Sequence, residues 1–130
     1  MYNQVILERF QNLQNAGIVT NAEAVGQVGS ISSGDMIKIY LRVAKGVITE
    51  VKFKTFGNVY ALVASDVLCD MLKNCTLENA LLIKSGDIVK ALGGLPENKM
   101  YIADLAQSVV KDAVDDYYKK LAKAKLNAKK

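Results

Sequence analysis

The stretch Met36-Ile37-Lys38-Ile39-Tyr40-Leu41-Arg42-Val43, then Ala44-Lys45-Gly46, then Val47-Ile48-Thr49-Glu50-Val51-Lys52-Phe53-Lys54-Thr55 decides the fold. In its first run Ile37, Ile39, Leu41 and Val43 alternate with Met36, Lys38, Tyr40 and Arg42, the period of a half-buried strand. In its second, Val47, Thr49, Val51, Phe53 and Thr55 alternate with Ile48, Glu50, Lys52 and Lys54. Two alternating runs meeting at Lys45-Gly46 predict an antiparallel hairpin. One face is apolar and packs on helices; the other carries charge and meets water.

Outward from the hairpin, Val25 to Ser32 reads as a glycine-containing edge strand, and residues 2–12 as a short helix with Val5, Ile6 and Phe10 on one side. Asn12 to Gly17 reads as a turn. Downstream of Phe56-Gly57-Asn58 the alternation stops. Val59 to Leu72, rich in Ala, Leu and Val, predicts a largely buried helix. Thr76 and Ser85 stand where helix N-caps belong, before Leu77–Ile83 and Gly86–Leu92. Gly93-Gly94-Leu95-Pro96 ends that region. An amphipathic helix follows from about Asp104 to Ala124, with Leu105, Ala106, Val109, Val110, Ala113, Val114, Tyr117 and Leu121 as its apolar stripe. The order is helix, three strands, four helices. It predicts an α+β domain, a small three-stranded antiparallel sheet packed against helices with a long C-terminal helix. Residues 1–124 form one domain, as suits 130 residues, and 125–130 a Lys-rich tail.

Composition removes most catalytic chemistry. There are no histidines and two cysteines. A Ser-His-Asp triad, a Cys-His dyad and a His-ligated zinc site are excluded, and one chain cannot supply four thiolates. The net charge of +4 comes from one end: six of the seventeen basic residues lie in residues 119–130, and the remaining eleven face thirteen acids. That tail has no arginine or aromatic side chain to read or stack bases, so no nucleic-acid partner is expected. The lysines suit a helix C-terminus. No apolar run reaches a membrane span and none opens the sequence as a signal, so a cytoplasmic location with reduced Cys69 and Cys75 is expected.

Three junctions are locally unusual: Ser32-Ser33-Gly34-Asp35, Phe53-Lys54-Thr55-Phe56-Gly57-Asn58, and Leu95-Pro96-Glu97-Asn98-Lys99-Met100-Tyr101-Ile102. On these residues the chain resembles the NifU N-terminal/IscU family of scaffolds for iron–sulfur cluster assembly. Gly26-Gln27-Val28-Gly29-Ser30 leads to Ser33-Gly34-Asp35 where the family has Cys-Gly-Asp. Gly57-Asn58 stands where it has Gly-Cys. Leu95-Pro96, Lys99 and Tyr101-Ile102 stand where it has Leu-Pro, Lys and His-Cys. Leu105-Ala106 and Asp116-Tyr117 continue its last helix.

The resemblance implies a 2Fe–2S cluster or zinc, with iron binding, and it maps the ligand positions onto Ser33, Asn58 and Ile102 for the cysteines, Tyr101 for the histidine, and Asp35. Of these, Asp35 alone is retained. Iron–sulfur clusters are held by soft thiolates. A serine hydroxyl, an asparagine carbonyl and an isoleucine do not replace them, and none can carry a persulfide. No cofactor is therefore expected, and Asp35 is the sole retained candidate metal ligand. Asp35 also reads as a turn residue bonded to nearby amides, Asn58 as a helix cap, and Tyr101 and Ile102 as apolar filling of a former polar pocket. Leu95, Pro96, Glu97, Asn98 and Lys99 match the segment the family offers to an Hsp70-type chaperone, although Glu97-Asn98 departs from the more apolar Pro-Val of bacterial scaffolds. Cys69 and Cys75, six apart and away from the ligand positions, read as buried or boundary residues.

The expected function is that of a non-enzymatic accessory or regulatory binding module of iron–sulfur assembly that holds no cluster. Its expected partners are a cysteine desulfurase, a scaffold paralogue, an Hsp70-type chaperone or a second copy of itself. The alternatives are a metal-handling protein using Asp35 with Lys99 or a site shared between subunits, and a structural or oligomerising module.

Overall fold

The computed structural model describes residues 1–128 and has the α+β architecture. Its elements are α1 (Gln4–Gln11), β1 (Ala24–Ser30), β2 (Asp35–Ala44), β3 (Val47–Phe56), α2 (Val59–Leu72), α3 (Leu77–Ala80), α4 (Ser85–Ala91), a 3-10 turn (Glu97–Lys99) and α5 (Met100–Ala128). The strands form one antiparallel sheet in the order β1-β2-β3. Ile37, Ile39 and Leu41 of the central strand are fully buried, with Leu68 and Leu72 of α2 and Ile102 and Val109 of α5 in the same core.

The hairpin turns at Lys45-Gly46, as expected. Both residues have left-handed φ, 53° and 76°, which a two-residue turn between right-twisted strands requires. The inward phase of β3 differs from strict alternation. A bulge opposite Arg42 and Val43 leaves Thr49 unpaired: Arg42 pairs with Glu50, and Val43 with Ile48. The extra residue shifts the phase by one. Ile48 is therefore buried and Thr49 exposed, where the alternation had Ile48 on the charged face.

Helix α5 lies against β1 and β2, and α2 against β3. The α5–β1 approach is set at Gly26. A Cβ there would stand 2.6 Å from Val109 O and 2.7 Å from Ala113 N, so backbone meets backbone. Two carboxylates one turn apart on α5 then take the outward N–H groups of the edge strand: Val25 N donates to Asp116 and Gln27 N to Asp112, each at 2.8 Å. A sheet edge otherwise left open is thereby covered.

The segment from α1 to Asn15 is tied to α2 through Asp66, which is fully buried. Arg9 donates to Asp66 at 2.7 Å and Asp70 at 2.8 Å. Gln14 N and Asn15 N donate to the other Asp66 oxygen, each at 2.9 Å. A buried carboxylate with this many donors is satisfied rather than reactive.

Boundaries of three helices differ from expectation. Helix α3 is one turn, ending at Ala80 rather than Ile83. Ser85 is not a cap: Lys84 occupies the N-cap, its N–H donating to Asp87 at 2.9 Å, while Ser85 N donates to Gln107 on α5. Helix α5 starts at Met100, not near Asp104, because the 3-10 turn after Pro96 feeds it directly. It runs to Ala128, so residues 125–128 of the Lys-rich tail are helical; residues 129–130 lie outside the described residues.

Two predictions follow the α5–β1 contact. Gly26→Ala forces two backbones apart and should lower unfolding free energy by about 1–3 kcal/mol in a denaturant titration. At Asp116 burial opposes ionisation, but hydrogen bonds from Lys120 and Val25 N–H and the charges of Lys120 and Lys119 outweigh it, so its pKa falls below the usual 3.8. Its contribution is complete above that ordinary value and lost as pH falls through the depressed folded-state value. Stability of Asp116→Asn, measured over the same acid range, should fall less steeply with pH than that of the parent.

Candidate functional site

The three junctions singled out in the sequence meet at one end of the sheet. The turn between β1 and β2 ends at Asp35, the first residue of β2; β3 ends at Phe56, opposite Met36. Gly57-Asn58 opens α2. Tyr101 and Ile102 lie on the first turn of α5, not in a loop before it.

Asp35 joins these parts. Tyr101 donates its hydroxyl to Asp35 Oδ2 at 2.6 Å across 66 residues of sequence. Asp35 Oδ1 is buried and has no hydrogen-bond partner among the described residues. Gly57 explains how it fits: a Cβ at this residue would lie 2.5 Å from Asp35 Oδ1, 3.2 Å from Ala61 Cβ and 3.4 Å from Gly34 O. Its φ of 154° is also left-handed territory, so glycine serves twice here. The bond to Asp35, then burial, holds the Tyr101 phenol above its ordinary range. The expectation that Asp35 bonds backbone amides of its own turn is replaced by this long-range bond. An Asp35–Lys99 ion pair does not form among the described residues; Lys99 belongs to the 3-10 turn, its N–H donating to Pro96 O at 2.8 Å.

The other mapped positions are occupied with local work. Ser33 is exposed, and its hydroxyl donates to Ser30 O at 2.9 Å within its own turn. Asn58 caps α2, its side-chain oxygen accepting from Tyr60 N at 2.9 Å and Ala61 N at 3.3 Å. Ile102 is fully buried in the core. Tyr101 does not share that fate: it is 42 % exposed, so the apolar filling expected of both residues is supplied by Ile102 alone. Leu95 packs against the core, and Pro96, Glu97 and Asn98 are exposed.

The cysteines are elsewhere. Cys69 is fully buried on α2. Burial, then the charges of Asp66 and Asp70, push its thiol far above the ordinary range, against the weaker opposing effect of Lys52. Cys75 lies at the hairpin end of the sheet, its backbone O accepting from Ile48 N and its thiol donating to Met71 O at 3.0 Å. Among the described residues, no group of three or more His, Cys, Asp or Glu side chains could hold a metal ion. Among these residues no helix is long and apolar enough to cross a membrane.

The family model for the NifU-like N terminal domain matches residues 1–124. The chain belongs to this family. It is 38% identical over 123 residues to the iron–sulfur cluster assembly scaffold protein IscU 1 of Archaeoglobus fulgidus, covering 95% of this chain and 80% of that one. It is 36% identical over 121 residues to the scaffold protein IscU of Aquifex aeolicus, covering 92% and 77%. The fold matches the crystal structure of a NifU-like protein (N-terminal) from Brucella abortus with a TM-score of 0.62 at 22% identity, covering 93% and 94%.

The donor set does not fit a soft cluster as cargo. At the mapped positions it offers one carboxylate already bonded to a phenol, a hydroxyl and an amide oxygen committed to their own turns, and a buried hydrocarbon. The arrangement can instead hold three chain segments in register. A thiol assay reads the same chemistry. Native protein should react with iodoacetamide at Cys75, and at Cys69 only after unfolding; modification of both at equal rates in the native state would contradict the burial.

Proposed function

We propose that this member of the iron–sulfur scaffold family is a binding module that carries no cluster and catalyses no reaction. One observation carries the proposal: at the five mapped positions the thiolate and imidazole donors are replaced by Ser33, Asn58, Ile102 and Tyr101, and the retained Asp35 is engaged by Tyr101. What the family resemblance still supplies is the surface. Large apolar side chains are exposed on the same junctions, Ile31 at 61 %, Phe56 at 53 % and Met100 at 40 %, a composition suited to protein contact rather than to an ion. The partners that the resemblance suggests are a cysteine desulfurase, a scaffold paralogue or an Hsp70-type chaperone, and the role is accessory or regulatory.

Anaerobic incubation with ferrous iron, sulfide and reductant, followed by desalting, tests the first half. The expected product has only substoichiometric iron and sulfide and no charge-transfer absorption. A stable stoichiometric cluster would overturn it. Affinity capture with the three purified partner classes from the source organism tests the second half. Binding to at least one is expected; binding to none counts against a role in the pathway.

A further inference from the structure

We infer that the Tyr101–Asp35 hydrogen bond is a metal-independent strut, holding the start of α5 against the sheet where ligands from these junctions would otherwise be drawn together by an ion. The inference rests on the preceding proposal that no cluster is held here. A metal bound by several segments contributes its binding free energy to folding, and a chain without those ligands forgoes that contribution.

The geometry supplies another tie between the segments. Asp35 meets two other segments: its Oδ1 lies against Gly57, just before α2, and its Oδ2 accepts from Tyr101 on α5. Among the described residues, the Tyr101 bond is the sole side-chain hydrogen bond from the first turn of α5 to the sheet. The next anchors along the helix are Gln107 to Ser85 N and Asp112 to Gln27 N. Ile102, beside Tyr101, packs into the core but cannot fix direction, since apolar contact is not directional.

The unpartnered oxygen separates this role from that of a ligand. Asp35 Oδ1 is buried without a donor, and Gly34 O, a second acceptor, lies on the same side of Gly57. A strut needs only that position 35 accept from the Tyr101 hydroxyl. An asparagine does this through its carbonyl oxygen, and its amide nitrogen replaces the unpaired acceptor Oδ1 with a donor on the side where Gly34 O can accept. Zinc or iron held here would draw on the carboxylate charge, and the neutral asparagine amide is a much weaker ligand for either.

Thermal unfolding and amide exchange of Tyr101→Phe, Asp35→Ala, Asp35→Asn and the Tyr101→Phe/Asp35→Ala double variant, each with chelator and with added zinc, test this. Tyr101→Phe and Asp35→Ala should each lower Tm by about 2–5 °C. The double variant should fall little beyond the lower single, as expected of residues acting as one bond. Exchange in the first turns of α5 should quicken in all three. Asp35→Asn should melt with the parent or above it, and zinc should leave the parent Tm unchanged. Tyr101→Phe melting with the parent, or Asp35→Asn losing as much as Asp35→Ala, would overturn the strut while leaving the proposed function standing. A zinc-induced rise in the parent Tm that Asp35→Asn abolishes would overturn the proposed function as well.

Discussion

At Gly26 the backbones of α5 and β1 meet directly, and the rest of the site hangs from that contact. With Val109 O and Ala113 N where a Cβ would stand, the helix can lie on the strand in one position only. Asp112 and Asp116 fix the same register by taking alternate N–H groups of β1. From Ala113 back to Tyr101 the helix rises about 18 Å. A rigid lever of that length delivers Tyr101 to Asp35 and Ile102 to the core. A slip of one residue along α5 would turn it by about 100° and undo both.

That constraint explains why the family architecture persists around a site whose chemistry differs. The fold depends on the glycine contact, the bulged hairpin and the Asp66 network at α1, none of which involves the mapped ligand positions. Those positions are then available for other uses. Ser33 closes its turn, Asn58 caps α2, Ile102 fills the core, and Tyr101 pairs with Asp35. Ser33 and Asn58 serve their own segments, whereas Tyr101 and Ile102 join α5 to the rest of the fold.

Much of this was legible in advance. The alternation of β2, the Lys45-Gly46 turn, the buried α2 and its Asn58 cap are local patterns, and local backbone chemistry decides them. The errors fell where distant residues decide. The bulge at Thr49 follows from cross-strand pairing with Arg42 and Val43, and alternation within β3 does not reveal it. The cap of α4 is Lys84, closed locally by Asp87, while the next free N–H, that of Ser85, is taken by Gln107, 22 residues away. Asp66, which with Asp70 is one of two acids on α2, gathers Arg9, Gln14 and Asn15 from more than fifty residues earlier, a convergence that no local pattern shows.

The sequence by itself determined the α+β class, the family resemblance and the chemical composition of the site, because thiolates and imidazoles are either present at given positions or not. Only the tertiary structure decided what the substitute residues do. Tyr101 and Asp35 were both visible as oddities at separate junctions, but a hydrogen bond is a matter of ångströms, and 66 residues of chain separate the pair. The distance between them is set by the packing of α5 on Gly26, a contact that no local pattern encodes.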